Sequence, residues 1–214
     1  MFHGILFTMT HDTSISRRTL QHYEDHAWSF REGTWDHDVS QNRHALMKAL
    51  ETTRTPHILD FGCGPGRDLC AFLAMGAQVT GLDGCETFVE MAREVSGVPV
   101  LKQDFLSLDL PHEAFDGIFA NATLFHVPAF ELPRVLGELN SALKPGGVLF
   151  ASIPRGSDEE GWNGERYGRY HAPKSWDALL ENTGFAKLDS FFRPEGMPRE
   201  QQPWYASVWR KPIT

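Results

Sequence analysis

Along most of the chain, short apolar runs alternate with stretches in which apolar residues recur every three or four positions. The runs are rich in β-branched and aromatic residues and predict strands, whereas the wider spacing predicts helices. We predict strands at residues 57–61, 78–82, 98–102, 115–120, 148–153, 186–192 and 205–210. We predict helices at residues 68–75, 86–95, 131–143 and 174–182. This alternation is typical of a doubly wound, mostly parallel sheet covered on both faces, so the predicted fold class is α/β.

The first 55 residues depart from this alternation and are polar and aromatic. One helix pattern stands out, and we predict that it begins at Asp38, with Gln41 completing a capping box. The neighbouring Trp35, Asp36 and His37 bring carboxylate and imidazole groups, which are metal ligands. Consecutive positions rarely converge on one ion, and Asp38 already has the capping role. We therefore predict no metal site here.

The length of 214 residues favours a single domain. We expect residues 1–22 to be a disordered N-terminus, with translation starting at Met1 or Met9. The opening segment lacks a basic start and a long apolar stretch, so we do not expect it to be a signal peptide. Residues 23–55 are predicted to form an N-terminal cover and residues 56–214 the core that it covers.

Two features of the composition restrict the function. The formal net charge of −8 argues against broad affinity for nucleic acid, because such affinity needs a basic face. The three cysteines, Cys63, Cys70 and Cys85, lack CxxC spacing and indicate reduced thiols, so we expect a cytoplasmic protein. No run approaches the roughly 20 apolar residues of a membrane helix. We expect a monomer or dimer with a small-molecule partner.

The first predicted strand ends in three alternate glycines, Gly62, Gly64 and Gly66, and a helix pattern follows at once. Glycines permit positive φ and close backbone approach, so such a loop can hold a ligand at the N-terminus of the following helix. Asp83 closes the second predicted strand. In doubly wound sheets, an acid there accepts hydrogen bonds from ribose hydroxyls. Together the two signals predict a nucleotide-type cofactor.

Two cofactor classes fit a spaced glycine loop. Nicotinamide-dependent oxidoreductases use Gly-x-Gly-x-x-Gly, a spacing that suits a pyrophosphate. Here the pattern is Gly-x-Gly-x-Gly, and Arg67 occupies the place of the third glycine. The departure favours a cofactor without a pyrophosphate, and an NAD(P)-dependent oxidoreductase remains the alternative.

From about Tyr23 to its C-terminus, the chain resembles the class I S-adenosylmethionine-dependent methyltransferases. Four motifs carry the resemblance in order along the chain: the glycine loop of residues 59–66 with Asp83, the pair Asp104-Phe105 after the third strand, residues 115–121, and residues 143–149. The resemblance implies a Rossmann-like sheet of seven strands, six of them parallel, with the antiparallel last strand inserted between strands five and six.

The resemblance also implies S-adenosylmethionine as cofactor and S-adenosylhomocysteine as product. The cofactor contacts that it implies are Asp60, Gly62, Cys63, Gly64, Pro65, Gly66, Asp83, Gly84, Asp104, Phe105, Asn121 and Ala122. The function predicted is methyl transfer to an oxygen, nitrogen or sulfur atom of a small molecule. A catalytically silent module that binds S-adenosylmethionine is a further alternative.

His126 follows the fourth predicted strand, at the sheet edge where ligands bind, and is the candidate general base. The alternative is a histidine that hydrogen-bonds the backbone and packs near the cofactor. Residues 155–171 are predicted to be a mobile wall of glycine-spaced aromatics and arginines that contacts the acceptor. The candidate acceptor contacts are Tyr23, Trp35, His37, Arg155, Trp162, Arg166, Tyr167 and Tyr170.

Overall fold

A computed structural model describes residues 14–213. Within that range the α-helices are α1 (Ser14–Thr34), α2 (Ser40–Ala49), α3 (Arg67–Ala74), α4 (Glu86–Ser96), α5 (Leu132–Ala142) and α6 (Pro173–Asn182). The strands are β1 (His57–Phe61), β2 (Gln78–Asp83), β3 (Val100–Lys102), β4 (Phe115–Asn121), β5 (Leu143–Pro154), β6 (Glu159–Asn163), β7 (Arg166–Tyr170), β8 (Ala186–Arg193) and β9 (Trp204–Arg210). Among these described helices, none is long and apolar enough to cross a membrane.

The main sheet has seven strands in the order β3-β2-β1-β4-β5-β9-β8. Strand β9 pairs antiparallel with both β5 and β8, so it is inserted between them, whereas the other described pairings in this sheet are parallel. The predicted α/β class and the predicted position of the antiparallel strand are confirmed. The sequence could not supply the order by periodicity alone, because periodicity describes each strand separately.

The central strands are apolar on both faces, as expected for parallel strands covered by helices. Side chains alternate between faces along a strand. Ile58 and Phe119 therefore pack in one apolar cluster, on the side of α2 and α3. Their neighbours Leu59 and Ile118 pack in the other, on the side of α5 and α6. This double burial fixes the position of the carboxyl ends of β1, β2 and β4, where the candidate site lies.

The N-terminal region differs from the prediction in two respects. Helix α1 begins at Ser14, so the expected disorder is wrong for residues 14–22, and residues 1–13 lie outside the described range. Helix α2 begins at Ser40, not at Asp38. The Asp38 carboxylate instead accepts the Ser40 N–H at 2.8 Å, just before the helix, so no capping box forms.

The segment 155–171 is also more ordered than a mobile wall. It contains β6 and β7, which form a separate two-stranded antiparallel sheet. The turn between them has Gly164 at φ +61°, a conformation that glycine adopts without strain. We refer to β6, β7 and this turn as the β6–β7 hairpin. It packs against α1, because the Tyr167 N–H donates to Thr19 Oγ1 at 3.0 Å.

Candidate functional site

A cavity of about 600 Å³ opens at the carboxyl ends of β1, β2 and β4, beneath α1. In open α/β sheets ligands bind in the crevice at this edge, where the order of strands reverses. Here the reversal falls between β1 and β4, since β2 and β3 lie on one side and β5, β9 and β8 on the other. The position of the cavity follows from the strand order.

The glycine loop forms the floor of the cavity. Gly62 has φ +79°, and a Cβ added there would lie 2.2 Å from Thr123 Cγ2, so no larger residue fits. A Cβ on Gly64 would meet only Phe30, at 3.9 Å, which leaves this backbone open toward the cavity. Gly66, at φ +94°, is the residue that precedes α3. The three glycines thus give a crowded turn, an open backbone surface and a helix start, in that order.

Asp83 ends β2 and ties the strand to the glycine loop. Its carboxylate accepts the Gly64 N–H at 2.9 Å and the Cys85 N–H at 3.0 Å. Burial raises the pKa of Asp83 to about 6, and the backbone hydrogen bonds partly oppose that rise. A buried carboxylate aimed at the floor of a cavity is a strong acceptor for ligand hydroxyl groups.

A second buried carboxylate lies one strand away. Asp60 on β1 is only 2% exposed, and its Oδ2 atom has no hydrogen-bond partner among the described residues. Burial, together with the charge of nearby Asp68, raises the pKa of Asp60 well above its usual value. Asp68 itself is paired with Arg43 at 2.5 Å and with Arg67 at 2.6 Å. This carboxyl group thus lies buried next to the cluster of Arg43, Asp68 and Arg67 and does not line the cavity.

Helix α1 lies across the cavity as a roof. At one end the Ser16 hydroxyl donates to Asp104 at 2.6 Å. Leu20 packs over Gly84, where an added Cβ would lie 2.7 Å from Leu20 Cδ2. The Glu24 carboxylate accepts the first backbone N–H groups of α4. Because a carboxylate stabilises a helix N-terminus, this contact holds the roof to the core.

The ring of His126 lies beneath the same helix. Its Nδ1–H donates to the Tyr167 carbonyl oxygen at 2.6 Å, so its Nε2 accepts the Tyr23 hydroxyl at 2.9 Å. A carbonyl can only accept, and this fixes the tautomer. Burial lowers the pKa of His126 to about 4. The imidazole is therefore neutral near pH 7, and Tyr23 presents its oxygen lone pairs rather than its proton to other groups.

The far end of the cavity lies beyond β5. Here Arg193, Pro194 and Trp204 line the wall, with Phe125 and Ser152 on the side nearer the glycine loop. The Trp204 and Phe125 rings meet edge to face with centroids 6.5 Å apart. This end is aromatic and cationic, whereas the end near Asp83 and Asp104 is acidic.

The structure brings most of the residues predicted from the sequence around this one cavity. The following line it: Tyr23, Trp35, His37, Gly62, Cys63, Gly64, Pro65, Asp83, Gly84, Asp104, Phe105, Asn121, Ala122, His126 and Arg166. The following do not line it: Asp60, Gly66, Arg155, Trp162, Tyr167 and Tyr170. Trp162 is instead 42% exposed, beneath the Arg18 guanidinium.

Sequence reasoning missed two groups of lining residues. Ser16 and Leu20 fell in the segment expected to be disordered. Arg193 and Trp204 lie at facing ends of β8 and β9, and the strand order that brings them to the cavity is not written in a local pattern. The only nearby signal in the sequence for a functional role of these two residues was the polar connection of residues 194–203 between the two strands.

The donor set fits an adenosine-containing cofactor with an amino acid part. Asp83 offers a carboxylate to hydroxyl groups, and Asp104 with Phe105 offers an acceptor beside an apolar ring. Phe105 stacks on Phe61 with centroids 4.3 Å apart, which holds that ring in place. The open backbone at Gly64 leaves room for the amino acid part next to the loop. Among the described residues, no cluster of three or more metal-ligating side chains is present.

Residues 59–151 match the family described as methyltransferase domain. The match begins in β1, includes the glycine loop, Asp83 and Asp104, and ends in β5. Residues 59–151 thus form a methyltransferase domain like those of the class I S-adenosylmethionine-dependent enzymes. The resemblance expected from the four motifs is confirmed for this methyltransferase core.

Two kinds of similar protein extend the comparison. The trans-aconitate 2-methyltransferase of Paracidovorax citrulli is 35% identical over 124 residues, which are 54% of this chain and 45% of that protein. The chain thus spans less than half the length of this relative. The solved structure of the Burkholderia thailandensis 1,6-didemethyltoxoflavin-N1-methyltransferase, with its substrate and S-adenosylhomocysteine bound, has a TM-score of 0.76 at 21% identity. The structural match covers 92% of this chain and 88% of that chain.

The same methyltransferase fold occurs in a protein with another reaction. The [4+2]-cyclase SpnF has a TM-score of 0.71 at 19% identity, covering 91% of this chain and 95% of that chain. At such identities the likeness concerns the fold. The activity must therefore be argued from the residues of the cavity.

Proposed function

We propose that the protein transfers a methyl group from S-adenosylmethionine to an oxygen, nitrogen or sulfur atom of a small molecule. The observation that carries this proposal is a single cavity with two chemically different ends. The acidic end, near Asp83 and Asp104, matches the hydroxyl and amine groups of adenosine, and the aromatic and cationic end near Trp204 and Arg193 leaves room for an acceptor. The named activities of the similar proteins agree with this reaction class.

The cofactor would be held by residues of the matched core. Asp83 would accept hydrogen bonds from the ribose hydroxyls, Asp104 would accept one from the adenine amine, and Phe105 would lie against the ring. The backbone of Gly62 and Gly64 would receive the methionine part. When bound, S-adenosylmethionine supplies an electrophilic methyl group on a sulfonium, and S-adenosylhomocysteine remains after the transfer.

The protein then has to hold the acceptor in line with the methyl group and keep water away. Proximity and orientation alone can contribute up to ~7–11 kcal/mol to such a reaction. Helix α1 and the β6–β7 hairpin cover the cavity from above, and Phe125 and Trp204 give the acceptor an apolar aromatic wall. His126 as general base stays a prediction. Its hydrogen bonds give it a second role, which is to orient the oxygen of Tyr23 toward the cavity.

Titration calorimetry tests the cofactor assignment. We expect S-adenosylmethionine and S-adenosylhomocysteine to bind, and we expect NADH not to bind, because no pyrophosphate-binding third glycine is present. Binding of NADH alone would contradict the proposal and favour an oxidoreductase. Binding of the methyl donor without release of S-adenosylhomocysteine, with any acceptor in a broad metabolite panel, would favour a silent module. We also propose a cytoplasmic location, which the three free cysteines support.

A further inference from the structure

Three arginines line the cavity, and they differ in their partners: Arg67, Arg166 and Arg193. Arg67 is paired with the Asp68 carboxylate. Neither Arg166 nor Arg193 has a carboxylate oxygen within 4.0 Å among the described residues, and of these two only Arg193 lies at the end of the cavity beyond β5. The Arg193 guanidinium donates one hydrogen bond, to the carbonyl oxygen of Asp38, at 2.8 Å.

Because the Arg193 guanidinium is partly removed from water, leaving it without a carboxylate partner costs free energy. Arg193 is half-buried, and burial lowers the pKa of its guanidinium, although the charge of Asp38 acts in the opposite direction. The Asp38 carboxylate accepts the Ser40 N–H and lies more than 4.0 Å from the nitrogen atoms of the guanidinium. A planar guanidinium presents five N–H donors, of which most stay available here. Such a group matches a carboxylate in two parallel hydrogen bonds.

The position of Arg193 places it on the acceptor side. It ends β8, which lies four strands from β1 and six from β3. At a spacing of about 4.8 Å per strand, β8 is about 19 Å from the strand that carries the glycine loop. The proposed contacts of the cofactor all come from β1 to β4 and the loops that follow them. The backbone of Arg193 therefore lies on the side of the cavity away from the proposed cofactor contacts, and its guanidinium extends from there to the Asp38 carbonyl oxygen.

An aromatic wall leads away from this guanidinium toward the centre of the cavity. Arg193 and Trp204 are directly opposite each other on β8 and β9, so their side chains share one face of the sheet. Trp204 meets Phe125, and Phe125 lies beside His126 with ring centroids 3.9 Å apart. An acceptor with a flat apolar body would lie along this wall, with its charged end at Arg193.

From this arrangement we propose that the methyl acceptor is an anion, with a carboxylate on a flat apolar body, and that Arg193 binds this carboxylate. The inference rests on the proposed function, since it names the acceptor class of the same cavity. Arg193 is a specificity-determining residue in this account, and the atom that receives the methyl group lies at the other end of the acceptor. An overall charge of −8 would otherwise repel such an acceptor, so a local cation is required.

Benzoate and its neutral isostere benzamide are the probes. Each is titrated into protein saturated with S-adenosylhomocysteine, and the Arg193 Nε–H signal is followed by proton–nitrogen NMR. The signal is assigned by its absence in Arg193→Gln. We expect benzoate to shift the signal saturably with a millimolar Kd, and benzamide to leave it unchanged. Hydrogen bonds to charged groups contribute ~1.5–3 kcal/mol, so Arg193→Gln should weaken benzoate binding at least about tenfold.

Arg199→Gln is the matched control. It removes the same charge from the connection between β8 and β9, where the Arg199 guanidinium lies over Phe192 outside the cavity lining. We expect this variant to bind benzoate as the unaltered protein does. Arg193→Lys tests geometry, because it keeps the charge but loses the planar fork, and we expect intermediate binding.

The outcomes separate the two proposals. The anion site is overturned if benzoate gives no saturable shift, if benzamide binds equally well, or if Arg193→Gln binds benzoate normally. It is also overturned if Arg193→Gln loses about tenfold in affinity for S-adenosylhomocysteine but keeps its affinity for adenosine, since the guanidinium would then hold the carboxylate of the cofactor. Failure of the unaltered protein to bind S-adenosylhomocysteine, with benzoate still bound at Arg193, would overturn the proposed function alone.

Discussion

The raised pKa of Asp83 predicts that cofactor affinity depends on pH in a defined window. The carboxylate is proposed to accept hydrogen bonds from the ribose hydroxyls, which it does fully only when ionised. Burial raises its pKa to about 6 in the free protein. S-Adenosylhomocysteine should therefore bind with constant affinity above that pH. Below it, the affinity should fall, because the ligand must displace a proton from Asp83 before it binds in full.

The size of the effect follows from the linkage between the two equilibria. Each pH unit below the pKa costs about tenfold in affinity, or about 1.4 kcal/mol. At about pH 5 the Kd should thus be about tenfold higher than at pH 7. An aspartate with an ordinary pKa would stay ionised throughout this window and would give a flat profile. His126 does not interfere, because its pKa of about 4 lies below the window as well.

The assay is titration calorimetry in pairs of buffers with different ionisation enthalpies, which counts the protons released. We expect up to one proton released per ligand below pH 6 and none near pH 7.5. Asp83→Asn should bind about 1.5–3 kcal/mol more weakly at pH 7 and show no pH dependence, since it has no carboxylate to titrate. Circular dichroism at each pH verifies that the protein stays folded. A constant Kd from pH 7 to 5 in the folded protein would refute the reasoning.

Three other predictions concern stability and the histidine. Gly62→Ala should lower the free energy of unfolding by about 2–5 kcal/mol, because the added Cβ meets both positive-φ strain and overpacking. Gly76→Ala, at φ +84° with open space around it, should lower it by only about 1–2 kcal/mol. Equal losses for the two variants in urea denaturation would contradict the crowded turn at Gly62. Ser207→Ala strands the buried Nε1–H of Trp176, which donates to Ser207 at 3.0 Å, and should cost about 1–3 kcal/mol. A pKa of about 4 leaves His126 neutral, so His126→Gln should keep the shape of the turnover profile above pH 6; loss of an ionisation near pH 7 would make this residue the base.

The part of the site that we propose holds the methyl donor was predictable because its signals are local. Three alternate glycines after an apolar strand indicate a loop that follows a strand, and Asp83 ends the next strand. Neither signal depends on knowing where distant segments pack. The strand order then brings Gly64 and Asp83 into hydrogen-bond contact, as their places at adjacent parallel strand ends require.

The acceptor half was not predictable in the same way. Arg193 reaches the cavity only because β9 is inserted antiparallel between β5 and β8, and no periodicity encodes that insertion. Helix α1 was missed for a different reason. Its mean hydropathy is low, and it is held by contacts to distant residues, such as that of Ser16 with Asp104, rather than by a strong apolar stripe. The Arg155 and Tyr170 candidates do not line the cavity, and the Arg155 guanidinium lies instead over the Phe192 ring, 5.4 Å from its centroid.

The cavity is built from two sets of chain segments with different positions in the sequence. The groups proposed to hold the methyl donor lie within residues 59–151, whereas Tyr23, Arg166, Arg193 and Trp204 lie before or after that stretch. Such a division lets the outer segments vary through evolution, or be exchanged by design, while the donor site persists. A chimaera that grafts α1 and the β8–β9 connection of a relative onto this core would then inherit the acceptor of the relative and keep the methyl donor of the core.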